Sequence, residues 1–229
     1  MSDPGKAAAG RAAARLVEDG MTVGLGTGST ASCFVEALAA RVREEGLTIR
    51  GVPTSQAAER LARQSGIPLF PLTETTRPDL TIDGADEADS FLNLIKGGGG
   101  ALVREKLVAA SSGAMIVVAD ESKLVATLGA FPLPVAIIPT GWETTRARIE
   151  KVFPQVPVTL RLAPGGSPTI TDDGLHLLDL HFGPTITDPE RLQAQLRAVV
   201  GVAEVGLFVG IASRMIVGRP DGTTFERTR

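Results

Sequence analysis

The stretch MTVGLGTGSTASCFVEALAARVREE, Met21 to Glu45, decides the fold of the first half of the chain. Met21–Leu25 is short and apolar, as a buried strand requires. Glycines at 24, 26 and 28 break the run. From Ser29 to Glu45 the apolar residues Val35, Leu38, Ala39 and Val42 recur at helical spacing, and Gly46 stops the helix. Strand, glycine-rich turn and helix together make the opening of a βαβ unit.

Working outward, the same alternation repeats. Lys6–Glu18 reads as an amphipathic helix before the first strand. Thr48–Pro53 reads as a strand, Ser55–Ser65 as a helix, Ile67–Leu69 and Leu80–Ile82 as strands, Ala101–Ser111 as a helix, and Met115–Ala119 as a strand with no polar residue inside it. Apolar strands separated by helices predict a parallel sheet with helices on both faces. In such sheets ligands sit beyond the carboxyl ends of the strands. Past Phe131-Pro132 the pattern changes. Strands at Leu133–Ile138, Val156–Leu162, Leu175–His181 and Val205–Val209, with helices at Glu143–Phe153 and Pro189–Val199, follow the split β-α-β-β-α-β order. Met215–Gly218 and Thr223–Glu226 read as a closing hairpin around Pro220-Asp221-Gly222. The expected architecture is α/β: a Rossmann-like catalytic domain of residues 1–130 and 206–229, and a small ferredoxin-like α+β domain of residues 131–205.

Composition narrows the function. The 229 residues carry a net charge of −3 without any Lys/Arg run, which argues against a nucleic-acid partner. No uncharged apolar stretch approaches the ~20 residues of a membrane span. The Ala-rich start with Arg11 and Arg15 has some transit-peptide character, but Asp3, Glu18 and Asp19 oppose it. One cysteine, Cys33, permits no intrachain disulfide and suits a reducing compartment. A small buried side chain explains Cys33 better than a nucleophile does.

Four segments hold residues with chemical potential. In Gly24–Thr30 the glycines let backbone approach a ligand, the helix start offers amides, and Ser29 and Thr30 add hydroxyls, so a phosphate fits. No Lys precedes Ser29-Thr30, so this is not a P-loop. The alternative is a tight turn capped by Ser29. In Asp83-Gly84-Ala85-Asp86-Glu87-Ala88-Asp89 neighbouring carboxylates can perturb one another, as acid–base work needs. An acidic solvated turn or a divalent-metal site is the alternative; the cluster has neither calcium-loop spacing nor a histidine partner. His176 and His181 lie far along the chain, on opposite faces of one expected strand. Lys96 and Gly97–Gly100 precede a helix, and four glycines are costly in entropy. Gly97, Gly98 and Gly99 are therefore candidate amide donors to an oxyanion or phosphate. Glu105, one turn into that helix, has apolar neighbours, but so do Arg104 and Lys106. By spacing alone, a Glu–Lys surface cluster accounts for Glu105 better than catalysis does. Lys123, in Asp120-Glu121-Ser122-Lys123, could reach an anion, but by itself a plain surface lysine in a strand-end turn accounts for it better.

Taken as an ordered set, these segments resemble one family, ribose-5-phosphate isomerase of type A. GTGST at Gly26–Thr30, DGADE at Asp83–Glu87, KGGGGALVREK at Lys96–Lys106 and DESK at Asp120–Lys123 stand in that family's order and spacing. Thr54-Ser55-Gln56 and Gly206-Leu207-Phe208 match as well, and the match through Lys6 is looser. The resemblance implies interconversion of D-ribose 5-phosphate and D-ribulose 5-phosphate without metal or organic cofactor. It implies Glu105 as the base moving a proton between C1 and C2 through an enediolate, and Lys96 as the stabiliser of oxygen charge. Asp83 and Asp86 would handle hydroxyl protons and ring opening. Ser29, Thr30 and Lys6 would hold the phosphate, and Thr27, Gly28 and Lys123 would line the site. A cytoplasmic homodimer or homotetramer is the implied assembly. Two other readings stay open: a sugar-phosphate sensor without turnover, although no DNA-binding segment is evident, and a sugar-phosphate deaminase, although the first half lacks a histidine.

Overall fold

In the computed structural model, residues 3–229 are described. The chain runs α1 (Pro4–Ala14), β1 (Thr22–Leu25), α2 (Ser29–Glu45), β2 (Arg50–Pro53), α3 (Gln56–Gln64) and β3 (Leu80–Asp83). Two short strands follow, β4 (Glu87–Ala88) and β5 (Leu94–Ile95), then α4 (Leu102–Ala110), β6 (Ala114–Asp120) and a 3-10 turn at Glu121–Lys123. The remainder is β7 (Leu133–Ile137), α5 (Trp142–Val152), β8 (Val158–Leu160), β9 (His176–Leu180), α6 (Pro189–Arg197), β10 (Val202–Val205), β11 (Leu207–Phe208), β12 (Ala212–Gly218) and β13 (Thr224–Thr228). The fold is α/β, with a parallel-dominated sheet flanked by helices and separate antiparallel sheets. It divides into two compact units. The first holds the chain up to Ala85, Arg104–Leu124 and Gly210–Arg229; the second holds Asp86–Val103 and Val125–Val209.

In the first unit six strands line up as β13-β12-β6-β3-β1-β2. All pairs are parallel except the β12–β13 hairpin. Val23, Leu25, Ile82, Val118 and Ile216 from the strands pack with Phe34, Val35 and Leu38 of α2 in one core. β1, β3 and most of β6 are buried, which is why they read as short, largely apolar strands. α1 begins at Pro4, with Asp3 as N-cap accepting the amides of Gly5 and Lys6. It ends four residues before the expected Glu18. Arg41 of α2 donates to the carbonyls of Ala14 and Val17 and so satisfies the frayed end. The expected strand at Ile67–Leu69 is only a single bridge, Leu69 to Gly51. Pro68 in its centre has no N–H to donate to a ladder.

In the second unit β10-β7-β9-β8 form an antiparallel sheet carrying α5 and α6, the ferredoxin-like order expected from the sequence. Val135, Ile137, Leu178, Leu180, Leu192 and Leu196 fill its core. A second sheet, β11-β5-β4, was not foreseen. The expected strand Val205–Val209 is divided between the two sheets at Gly206. The Gly206 N–H donates to the carbonyl of Pro134 on one side, and its own carbonyl accepts from the Lys96 N–H on the other. A side chain there would stand 2.3 Å from the Lys96 carbonyl oxygen, so only glycine can pass the chain across. Among the described residues no helix is long and apolar enough to cross a membrane.

Candidate active site

The first unit carries its polar residues where the parallel strands end. Strand order reverses between β1 and β3, the place where open α/β sheets leave a crevice. Asp83, the last residue of β3, is fully buried there. Its Oδ1 accepts the N–H of Thr27 at 2.9 Å and that of Gly84 at 2.7 Å. A methyl group at Gly26 would lie 2.4 Å from that same oxygen, so the loop after β1 can pass Asp83 only as glycine. Thr27 Oγ1 stands 2.7 Å from the hydroxyls of both Thr54 and Ser55, which follow β2. Three consecutive strand ends in the sheet are thus tied together by hydrogen bonds.

The start of α2 differs from a simple Ser29 cap. Gly28 occupies the N-cap with φ 104°, and no side chain caps the helix. Ser29 is instead the first helical residue, and its hydroxyl accepts from Lys6 Nζ at 3.1 Å. Lys6 also lies 3.9 Å from Asp120 at the end of β6. The loosest element of the sequence resemblance therefore meets the glycine loop directly. Thr30 is buried. Asp120 caps the 3-10 turn that leads to partly exposed Lys123, accepting from the amide and hydroxyl of Ser122. Burial opposes ionisation of Asp120. The Ser122 hydrogen bonds and the charges of Lys6 and Lys123 outweigh it, holding the carboxyl below its ordinary value.

Glu105 is the fourth residue of α4 and only 4% exposed. Spacing alone favoured a surface cluster; instead Glu105 and Lys106 are buried and Leu107 is the exposed neighbour. A helix that buries charge and exposes leucine runs against ordinary amphipathic patterning.

In the second unit the glycine run is shaped from several directions. Gly97 has φ 104°, and a Cβ there would meet Leu102 at 2.8 Å. A Cβ at Gly98 would meet the Asp86 carboxylate at 2.6 Å. Asp86 Oδ2 accepts the Gly98 N–H at 2.8 Å. Gly98 and Gly99 are exposed. Lys96, directly after β5, is 2% exposed, and its ammonium lies 5.4 Å from the centroid of the Phe208 ring.

The acidic segment proves to be four carboxylates with separate partners. Besides Asp83 and Asp86, Glu87 accepts the amides of Gly129 and Phe131 at 2.7 and 2.6 Å. Asp89 closes the turn between β4 and β5 by accepting from Phe91 and from both the backbone and side chain of Asn93. Glu87 and Asp89 thus shape backbone. His176 and His181 bond to the Thr169 carbonyl and the Thr159 hydroxyl. Cys33 is partly exposed rather than the buried side chain expected from the sequence; its partial burial, then the charge of Glu36, pushes the thiol up, which argues against a nucleophile. Among the described residues no three His, Cys, Asp or Glu side chains converge as a metal centre requires. Sequence reading gave no sign that Arg161, paired with Asp179, donates to the carbonyls of Gly97 and Gly98. An isolated arginine after a short strand carries no local signal.

With this geometry in place, comparison with known proteins is specific. The family model described as ribose 5-phosphate isomerase A (phosphoriboisomerase A) matches residues 50–222. Ribose-5-phosphate isomerase A of Ruegeria sp. (strain TM1040) is 52% identical over 225 residues, covering 96% of this chain and 85% of the relative. The solved ribose 5-phosphate isomerase A of Methanocaldococcus jannaschii matches with a TM-score of 0.93 at 37% identity, covering 100% of both chains. A D-ribose-5-phosphate isomerase solved in complex with phospho-erythronic acid matches with a TM-score of 0.94 at 37% identity, again covering 100% of both.

Proposed function

The chain belongs to the ribose 5-phosphate isomerase A family, and from that premise we propose that it interconverts D-ribose 5-phosphate and D-ribulose 5-phosphate. The observation that carries this reading is that the likeness extends over the whole chain, not over one motif. The phospho-erythronic acid bound by one solved relative supports the chemistry. That ligand has a phosphate at one end and a carboxylate at the other. A carboxylate shares the planar, anionic shape of an enediolate, and an enzyme binds best what resembles its transition state.

In the proposed reaction Glu105 removes the proton from C2 of the open-chain aldose. The electron pair forms the C1–C2 double bond of an enediolate, and charge develops on O1. Lys96 and the amides of Gly97 and Gly99 stabilise that oxygen, while the Gly98 amide holds Asp86. Glu105 returns the proton to C1 while the O2 hydroxyl proton passes by way of the aspartates to O1, leaving the ketose. Asp83 and Asp86 carry the hydroxyl protons and open the ring. Ser29, Thr30 and Lys6 bind the phosphate, and Thr27, Gly28 and Lys123 line the sugar. Burial of Glu105 supports its part, because a base screened from water keeps the proton it has taken. A homodimer or homotetramer in the cytoplasm is the expected setting.

The test is to incubate the pure protein with D-ribose 5-phosphate and follow ketose formation, with and without a chelator. Equal turnover in both samples is expected. No ketose would overturn the function. Activity lost to chelation and restored by Mn²⁺ or Zn²⁺ would overturn the metal-free reading.

A further inference from the structure

Arg161, just past β8, spends its whole guanidinium on two tasks. Nε and Nη2 hold both carboxylate oxygens of Asp179 on β9 in a bidentate pair. Nη1 donates to the carbonyls of Gly97 at 2.8 Å and Gly98 at 3.0 Å. Both partners of the pair are mostly buried, at 18% and 17% side-chain exposure.

The consequence follows from peptide geometry. There is no cis peptide bond in the described chain, and in a trans peptide the N–H points opposite to the C=O. With the Gly97 carbonyl turned to Arg161, the Gly98 N–H faces away from it, and that N–H is the one donating to Asp86 at 2.8 Å. With the Gly98 carbonyl turned to Arg161 as well, the Gly99 N–H also faces away. Four glycines in a row would otherwise sample many backbone states. The guanidinium on one side and the Asp86 carboxylate on the other select one.

We propose that Arg161, oriented by Asp179, is a positioning residue for the isomerisation, fixing the Gly97–Gly98 and Gly98–Gly99 peptides so that the Gly98 N–H holds Asp86 and the Gly99 N–H is aimed in advance at the substrate's developing oxyanion. This rests on the isomerase reading above. Arginine is required because one head group must reach four acceptors, two on Asp179 and two on the loop. Lysine keeps the charge and loses the fork.

The experiment measures kcat and KM on D-ribose 5-phosphate for wild type, Arg161→Lys, Arg161→Gln and Asp179→Asn, each corrected for the folded fraction by circular dichroism. Inhibition by phospho-erythronic acid is measured on the same samples. Arg161→Gln is expected to lower kcat by about a hundredfold, the effect of a misplaced catalytic group, with KM near wild type. Arg161→Lys and Asp179→Asn fall between it and wild type, and inhibition weakens in step with the loss of kcat/KM. If Arg161→Gln fails to fold, Arg161→Lys decides. Wild-type kcat and inhibition in the folded variants would overturn the proposal, leaving Arg161 as a structural ion pair. Absence of turnover in wild type itself would remove the isomerase reading first, and this inference with it.

Discussion

The N–H of Thr27 is held 2.9 Å from the carboxylate of Asp83, across the point in the six-stranded sheet where strand order reverses. This bond fixes the glycine loop after β1 against the end of β3. It exists only because Gly26 lets the two backbones come together. A methyl group there would also stand 2.5 Å from Asp83 Cα and 2.5 Å from the Ile82 carbonyl oxygen, atoms that cannot turn aside. Gly26→Ala is therefore expected to cost about 1–3 kcal/mol of stability, as overpacking does. It should also lower turnover, because Thr27 and Asp83 are pushed apart. Denaturant midpoints and kcat/KM of the variant check this; a fully stable and active Gly26→Ala protein would show that the contact is slack.

Lys6 lies on α1, yet its ammonium reaches the hydroxyl of Ser29 at the start of α2. If that pair receives the phosphate, Lys6→Ala should raise KM for D-ribose 5-phosphate about tenfold, the loss of roughly 1.5 kcal/mol from one charged hydrogen bond. kcat should be nearly unchanged, since phosphate binding is equal in ground and transition states. Initial rates over a range of substrate concentrations separate the two constants. A fall in kcat at constant KM would take Lys6 out of the phosphate role.

The parallel sheet and the ferredoxin-like order were legible because strands such as β1, β3, β6 and β7 are buried along most of their length and read as largely apolar, and their helices carry period and stop signals. α2 illustrates this: it starts and ends where the pattern places it. Illegible were features made by contacts distant in sequence. The sheet β11-β5-β4 has strands of two residues, too short for any period. The transfer at Gly206 depends on Pro134 and Lys96, far away in the chain. Within the candidate site, glycines and acids marked the right segments, but spacing could not tell Asp83 from Glu87, since their roles depend on which amides come to meet them. The same limit hid Arg161, and the burial of Glu105 was not readable from a helix whose charged and apolar positions are interleaved.

Asp120 offers a test of electrostatics near Lys6. Its carboxyl titrates below the ordinary value of 3.8, with burial opposing and the Ser122 hydrogen bonds chiefly driving the shift. A depressed carboxyl contributes stability above the unfolded-state pKa, and that contribution is lost as pH falls through the folded-state pKa. Ser122→Ala should therefore be less stable than wild type at neutral pH, and the two should converge below pH 3.8. Urea midpoints across that range decide it. A difference that persists unchanged into acid would mean that Ser122 acts by packing rather than through the ionised carboxylate.

In the proposed mechanism the buried carboxylate of Glu105 moves the proton. The direct measurement is kcat on D-ribose 5-phosphate for wild type and Glu105→Gln, with circular dichroism and phospho-erythronic acid binding recorded on the same samples. The amide is nearly isosteric but cannot accept the proton. An intact fold, retained ligand binding and a kcat lowered by roughly 10²–10⁴-fold are expected. A folded Glu105→Gln protein turning over at the wild-type rate would contradict that mechanism.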